Sequence, residues 1–316
     1  MKNISMTFPG VKALQNVDFN LKAGEIHALM GENGAGKSTL IKVLNGVYIR
    51  DSGEIFLNGK AINNHSPQEA QQNGISTVFQ EVNLCPNISV AENIFAGHEP
   101  LKHGILIDWK RMNERAQEIL SWVGLEDIDV KRALGEYSVA IQQMVAIARA
   151  VHFNCKVLIF DEPTSSLDDK EVEKLFAVMR QLKADGKGIL FVTHYLEQVY
   201  AICDRITVLR NGELEGQFTT AELPRLKLVQ AMLGHEVAAL DTLRNKNAIA
   251  EGKDVPEILR AVGLSHTGTI KPFDLVVRMG EVIGLTGLLG SGRSEMVRAI
   301  YGADQPDGGE LEFNGS

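Results

Sequence analysis

Cysteine is scarce: Cys85, Cys155 and Cys203 are the only three in 316 residues. An odd, widely spaced set excludes a disulfide framework and supplies no paired spacing for a structural zinc site. The eight histidines form no H-E-x-x-H frame, so any metal has to be held by carboxylates or by the phosphates of a ligand. Aromatics make up only 6% of the chain, and no apolar run approaches the ~20 residues needed to cross a bilayer. Met1 does not lead a charged start followed by a greasy core, the pattern of a secretory signal. Basic residues are outnumbered by acidic ones, 32 against 40, and the net charge of −8 gives no general attraction for nucleic acid or anionic lipid. These absences predict a chain that stays in the cytoplasm, binds no nucleic acid and meets a membrane only through a protein partner.

What is present is an apolar content of 44%, enough for a sizeable core, in a length that suggests two domains. An internal repeat sets their plan. Ala23 to Gly59 recurs 256 positions later without a gap: Gly24-Glu25 as Gly280-Glu281, Gly31 as Gly287, Gly36 as Gly292, Ser38 as Ser294, Gly46 as Gly302, Gly53-Glu54 as Gly309-Glu310 and Asn58-Gly59 as Asn314-Gly315. Chance does not place so many glycines in register, so one domain is duplicated. Most of the first copy's pattern finds no counterpart before Ser316, which predicts a second copy cut short. Residues 1–237 are expected to form the first domain, the polar stretch 238–255 a linker, and 256–316 the N-terminal part of the second copy.

Strand-like runs at Glu25–Met30, Val157–Phe160, Gly188–Val192 and Ile206–Leu209 alternate with helical patterns, which predicts an α/β fold with a mostly parallel sheet. A helical insert interrupts it at about 87–136, with one helix capped by Asp108 and stopped at Gly124.

The first strand runs into Gly31-Glu32-Asn33-Gly34-Ala35-Gly36-Lys37-Ser38-Thr39 and then into an apolar-periodic helix, the setting a P-loop requires. Glycines let backbone N–H groups wrap phosphates, Lys37 reaches the outer phosphates, and the Ser38 hydroxyl binds Mg²⁺. A P-loop alone names no reaction. Further along, Val157-Leu158-Ile159-Phe160 makes a buried strand that ends in Asp161-Glu162. Asp161 would face Mg²⁺ beside the P-loop, and Glu162 would polarise a water for attack on the terminal phosphate of ATP.

The run Asp161 to Asp168 resembles the Walker B motif and D-loop of ABC ATPases, and the order of the other elements agrees with that family. The resemblance implies a P-loop ABC-ATPase domain with a helical subdomain. It further implies that Gln80 is the Q-loop glutamine, touching Mg²⁺ or the lytic water and reporting to membrane domains. His194, in Phe191-Val192-Thr193-His194, looks like the switch histidine that contacts the outer phosphate. Ser138 stands in the signature position, where it would bind the nucleotide of a facing domain, although Val139 and Ala140 replace the family's two glycines. Phe8, in Phe8-Pro9-Gly10-Val11-Lys12-Ala13-Leu14, occupies the place of an aromatic that stacks on adenine. That stretch, the P-loop wording and the weakened signature are similar to the ribose, galactose and galactofuranose importer group, closest to the galactofuranose type. Such proteins are tandem ATPases, and by this resemblance the present chain is expected to be clipped at its start as well as truncated at its end.

The implied activity is ATP hydrolysis driving sugar import from the cytoplasmic face of a bacterial inner membrane. The implied partners are permease subunits, a periplasmic sugar-binding protein reached through them, and a second nucleotide-binding half or a second copy. Two alternatives stand beside this reading. One is a folded remnant that binds ATP with little turnover; the other is a soluble tandem ATPase acting on ribosomes or DNA, which the acidic balance and the short mixed-charge linker disfavour.

Overall fold

The computed structural model describes residues 1–79, 84–152, 155–165, 167–234, 255–287 and 291–314. The chain divides into two units, Met1–Asp241 and Thr242–Ser316.

In the first unit, a four-stranded sheet has the order β2 (Val11–Val17), β1 (Lys2–Phe8), β4 (Ser52–Leu57), β5 (Lys60–Ile62). A six-stranded sheet follows the order β12 (Glu213–Thr219), β11 (Arg205–Arg210), β3 (Glu25–Met30), β10 (Gly188–Val192), β9 (Val157–Asp161), β6 (Ile75–Val78). All its pairings are parallel except that of β12 with β11. Parallel strands need crossovers, and helices supply them: α1 (Lys37–Leu44), α5 (Val139–His152), α6 (Asp169–Ala184) and α7 (Leu196–Ile202) alternate with the strands, joined by the short α2 (Pro67–Gln72) and α8 (Arg225–Leu233). The near-continuous apolar character of β3, β9 and β10 has its reason here, since both faces of the sheet are covered. Ile26, Ala28, Leu158 and Phe160 enter one core, whereas Leu29 and Ile159 enter another with α1 and the smaller sheet.

Residues 90–122 hold α3 (Val90–Phe95) and α4 (Trp109–Trp122). Ser89 and Glu92 form a reciprocal capping box on α3. Asp108 accepts from the Arg111 N–H to start α4, and Gly124 at φ +75° follows its end. Between the two helices lies a hairpin, β7 (Leu101–Lys102) with β8 (Leu106–Ile107), which the helical periodicity of this stretch does not reveal. Val90, Ile94, Phe95, Met112 and Leu120 pack into the same core as Met144 and Val145 of α5, so the insert and the parallel sheet share one interior.

The second unit has a three-stranded antiparallel sheet, β14 (Ile270–Arg278), β13 (Glu257–His266), β15 (Gly308–Phe313), and the helix α9 (Arg293–Tyr301). Its small core is Ala261, Leu264 and Ala299 with partly buried Ile270, Phe273, Leu275 and Ile300.

Candidate phosphate-binding site

Strand β3 delivers the chain into the loop Gly31–Gly36, where backbone geometry dictates glycine. Gly31 has φ +148°, and a Cβ there would lie 2.2 Å from the Leu209 carbonyl oxygen; Gly36, at φ +103°, would place one 2.7 Å from that of Ala13. Only a residue without a side chain allows this approach. Helix α1 then starts at Lys37, with Leu40, Ile41, Val43 and Leu44 buried against the core. The Lys37 ammonium donates to the carbonyls of Gly31 at 2.7 Å and Glu32 at 2.9 Å. Burial lowers its pKa from the ordinary lysine value, against the opposing pull of Glu162 and Asp161.

Across the loop, β9 ends in the carboxylate pair. Burial, then the neighbouring Glu162 charge, raise the Asp161 pKa above the usual carboxylate range, while Lys37 and Lys42 oppose them. Glu162 adopts φ +51°, a left-handed conformation that costs a non-glycine residue on the order of 1 kcal/mol. Its N–H donates to the Val192 carbonyl on the adjacent parallel strand, which holds the turn. That turn brings the Glu162 carboxylate to 2.8 Å from His194 Nδ1, with the glutamate side chain 17% exposed and the histidine 63%.

Asn33, Gly34, Gly36, Lys37, Ser38, Thr39, Asp161 and Glu162 thus line one cleft of about 660 Å³. The cleft is closed on one side by Val11, Lys12 and Ala13 from the β1–β2 hairpin and by Asn211 from the β11–β12 turn. Sequence reasoning missed these four. The Asn211-Gly212 dipeptide, with both residues at positive φ, is a hairpin-turn signal that could have located one of them. Gly31 and Glu32 belong to the loop, and Ala35 is buried beneath it.

Other expected site residues lie elsewhere. Phe8 is not among the cleft-lining residues; its ring meets Tyr48 edge-on, centroids 5.2 Å apart. Ser138 caps the first turn of α5, accepting from the Ile141 N–H at 3.3 Å, and is exposed together with Val139. Gln80 falls outside the described residues. Among the described residues no three His, Cys, Asp or Glu side chains gather as a metal cage. The donor set beside Lys37 is one carboxylate pair and two hydroxyls, which suits a hard cation shared with phosphate oxygens.

The profile of the ABC transporter family matches residues 14–165. The chain is 51% identical over its whole length to a fructose import ATP-binding protein of Bifidobacterium longum. It is 52% identical over 99% of its length to a galactofuranose transporter ATP-binding protein of Escherichia coli, and 44% identical over its whole length to a ribose import ATP-binding protein of Streptomyces coelicolor. It spans 61%, 62% and 59% of those three proteins. Among solved structures, an ATP-binding cassette in a dimeric post-hydrolysis state with ADP and Pi superposes with a TM-score of 0.61 at 30% identity, covering 69% of this chain and 97% of that one. A nucleotide-free cassette from an ABC transporter gives a TM-score of 0.65 at 26% identity, covering 76% and 96%.

Proposed function

Because the chain belongs to the ATP-binding cassette family of ABC transporters, we propose that it binds Mg·ATP at the Lys37 loop and that hydrolysis there powers sugar import. The observation that carries this reading is the convergence of Lys37, Ser38, Asp161 and Glu162 on one cleft, with His194 bonded to Glu162. The phosphates would be held by Lys37 and by loop N–H groups that the left-handed glycines leave open to them. Ser38 and Asp161 would hold Mg²⁺, which supplies positive charge to the phosphate oxygens. Asp161 fits that task, because a carboxyl whose buried charge is poorly compensated gains from a cation nearby. Glu162 orients a water and takes its proton, and His194 fixes the carboxylate that does so. Gln80 and Ser138 keep the roles that family resemblance assigns: the first at Mg²⁺ or the water, the second on the nucleotide of a facing cassette.

Sugar import rests on the likeness to proteins named for fructose, galactofuranose and ribose, which supports monosaccharides as a class rather than one sugar. No helix among the described residues is long and apolar enough to cross a membrane. The likeness to import proteins supports assigning the chain to permease subunits at the cytoplasmic face of a bacterial inner membrane, and through them to a periplasmic sugar-binding protein. Residues 1–237 constitute the first nucleotide-binding domain and 238–255 a linker. Residues 256–316 begin a second domain, supported by α9 and β15 falling 256 positions after α1 and β4.

The remnant reading is favoured by one observation: among the described residues no strand pairs with Glu281–Gly287, the counterpart of β3. One experiment separates the readings. Calorimetry on this protein should show that Lys37→Ala weakens Mg·ATP binding by at least a hundredfold, while Glu162→Gln keeps binding and slows steady-state hydrolysis by a hundredfold or more. Equal affinity in Lys37→Ala overturns the site, and tight binding without measurable turnover in the unaltered protein selects the remnant.

A further inference from the structure

The Glu162–His194 bond links two segments that leave the sheet side by side. Val192 pairs with Asp161 at the ends of β10 and β9, and beyond that point the chains turn into Glu162–Ser165 and Thr193–Tyr195. The Glu162–His194 tie is solvent-facing on the histidine side and carries the groups that do chemistry, so a nucleotide entering the cleft competes with it. A second tie joins the same two segments in the interior. The Thr164 hydroxyl donates to Gln198 Oε1 at 2.8 Å, and the Thr193 hydroxyl donates to the same oxygen at 3.3 Å. Both threonines are almost completely buried, at 4% and 2% exposure. Thr193 in turn accepts the Tyr195 N–H at 3.1 Å, which fixes the chain on the far side of His194.

We propose that Gln198 is a positioning residue for hydrolysis, a latch on two buried hydroxyls that keeps the segment after Glu162 in register with the His194 segment when their exposed bond opens. The proposal rests on the ATPase reading. Its physical basis is the unequal environment of the two ties. An exposed carboxylate–imidazole contact exchanges readily with water, whereas the half-buried Gln198 oxygen is shared by two buried hydroxyls, so breaking it leaves those hydroxyls unpaired. Gln198 sits in the first turn and a half of α7, whose Val199 and Ile202 are anchored in the core. The latch therefore refers both loops to the rigid interior, and Gln198 itself does not line the cleft.

The chemistry needed is an acceptor for two hydroxyls, which glutamate supplies and leucine does not. In the full chain, Gln198→Leu should bind Mg·ATP within threefold of the unaltered protein yet hydrolyse it at least tenfold more slowly. Backbone amide exchange should accelerate at Thr164, Ser165 and Tyr195 while the core of β3 and α1 keeps its protection. Gln198→Glu should restore both measurements to within threefold. Thr193→Val, which removes one hydroxyl without reshaping the helix, should reproduce the accelerated exchange. Unchanged exchange at those three amides in Gln198→Leu and Thr193→Val overturns the latch, as does a Gln198→Glu variant no better than leucine. If no form of the protein hydrolyses ATP, the ATPase reading fails and the exchange data alone decide whether the latch exists.

Discussion

In the first loop region Gly31, Gly36 and Gly46 adopt φ values of +148°, +103° and +71°; 256 positions later Gly287, Gly292 and Gly302 adopt +159°, +87° and +80°. Gly36 lies close to the carbonyl of Ala13, and Gly292 close to that of Thr269, its counterpart in the repeat. Even the left-handed Asn58 has its match in Asn314. Around this shared backbone the two regions differ. The Asn3 N–H reaches Asp18 across fifteen residues, whereas the equivalent bond from Gly263 to Asp274 spans eleven, so the second hairpin is shorter by four. The lost residues come from the tip of the first hairpin, whose Val11, Lys12 and Ala13 wall the first cleft. The stretch before the second loop is also no strand: β3 lies between β10 and β11, while Glu281–Gly287 has no partner strand among the described residues. Turns and helix starts are thus set by nearby residues, whereas a central strand exists only when neighbours accept its hydrogen bonds.

The largest effect that sharpens this contrast is expected at two equivalent positions. Ile26 is completely buried in β3, and Val282, its counterpart, is 96% exposed. Ile26→Ala should cost about 2–5 kcal/mol, as large-to-small core substitutions do, and Val282→Ala should stay within about 0.5 kcal/mol. Denaturant unfolding with separate probes for the two units measures both. Comparable losses would mean that Val282 is covered in solution and that the two regions are more alike than their strands suggest.

How much of this was legible in the sequence follows the same division. The glycine loop, the Val157–Asp161 strand, the Asp108 cap and the Gly124 stop are local patterns, and each falls where its residues placed it. The left-handed turn at Glu162 was not legible, because it is imposed by the Val192 carbonyl, and neither was the 2.8 Å contact joining residues 32 apart. Phe8 carries the right residue type for stacking, but its ring direction is decided by Tyr48, forty positions on. The β7–β8 hairpin gives too few residues per strand for an alternating pattern to show.

A smaller effect tests the electrostatics that only the first region has. The Asp161 pKa is raised by burial and by Glu162 from the ordinary aspartate value of 3.8, so the folded state holds this proton more tightly than the unfolded one. Stability from this group is therefore present at low pH and declines as pH rises from 3.8 through the raised value, remaining reduced at neutrality. Asp161→Asn removes that penalty. The nucleotide-free variant should melt a few degrees higher than the unaltered protein at pH 7, with the gap closing as pH approaches 3.8, while losing its response to Mg²⁺. No Tm gain at pH 7 would show that Asp161 is fully compensated by Lys37 and Lys42.

The smallest effect is expected from restoring the second loop's lysine. Arg293 occupies the place of Lys37 and keeps the positive charge, but as a planar fork instead of a compact ammonium. If that exchange alone separated the two regions, Arg293→Lys would create a second nucleotide site. The two regions differ in more than that side chain. A lysine at the start of α9 still lacks a carboxylate pair on an adjacent strand among the described residues, and the hairpin in front of it remains four residues short of the wall that bounds the first cleft. The phosphate cradle would also keep an unpaired entry stretch, which pays ordering entropy on binding that β3 has already lost on folding. Arg293→Lys should therefore leave ATP stoichiometry at one per chain and change affinity by less than threefold, below about 0.7 kcal/mol. Calorimetric titration decides the matter, and a second equivalent of bound ATP would place the difference between the regions in one side chain after all.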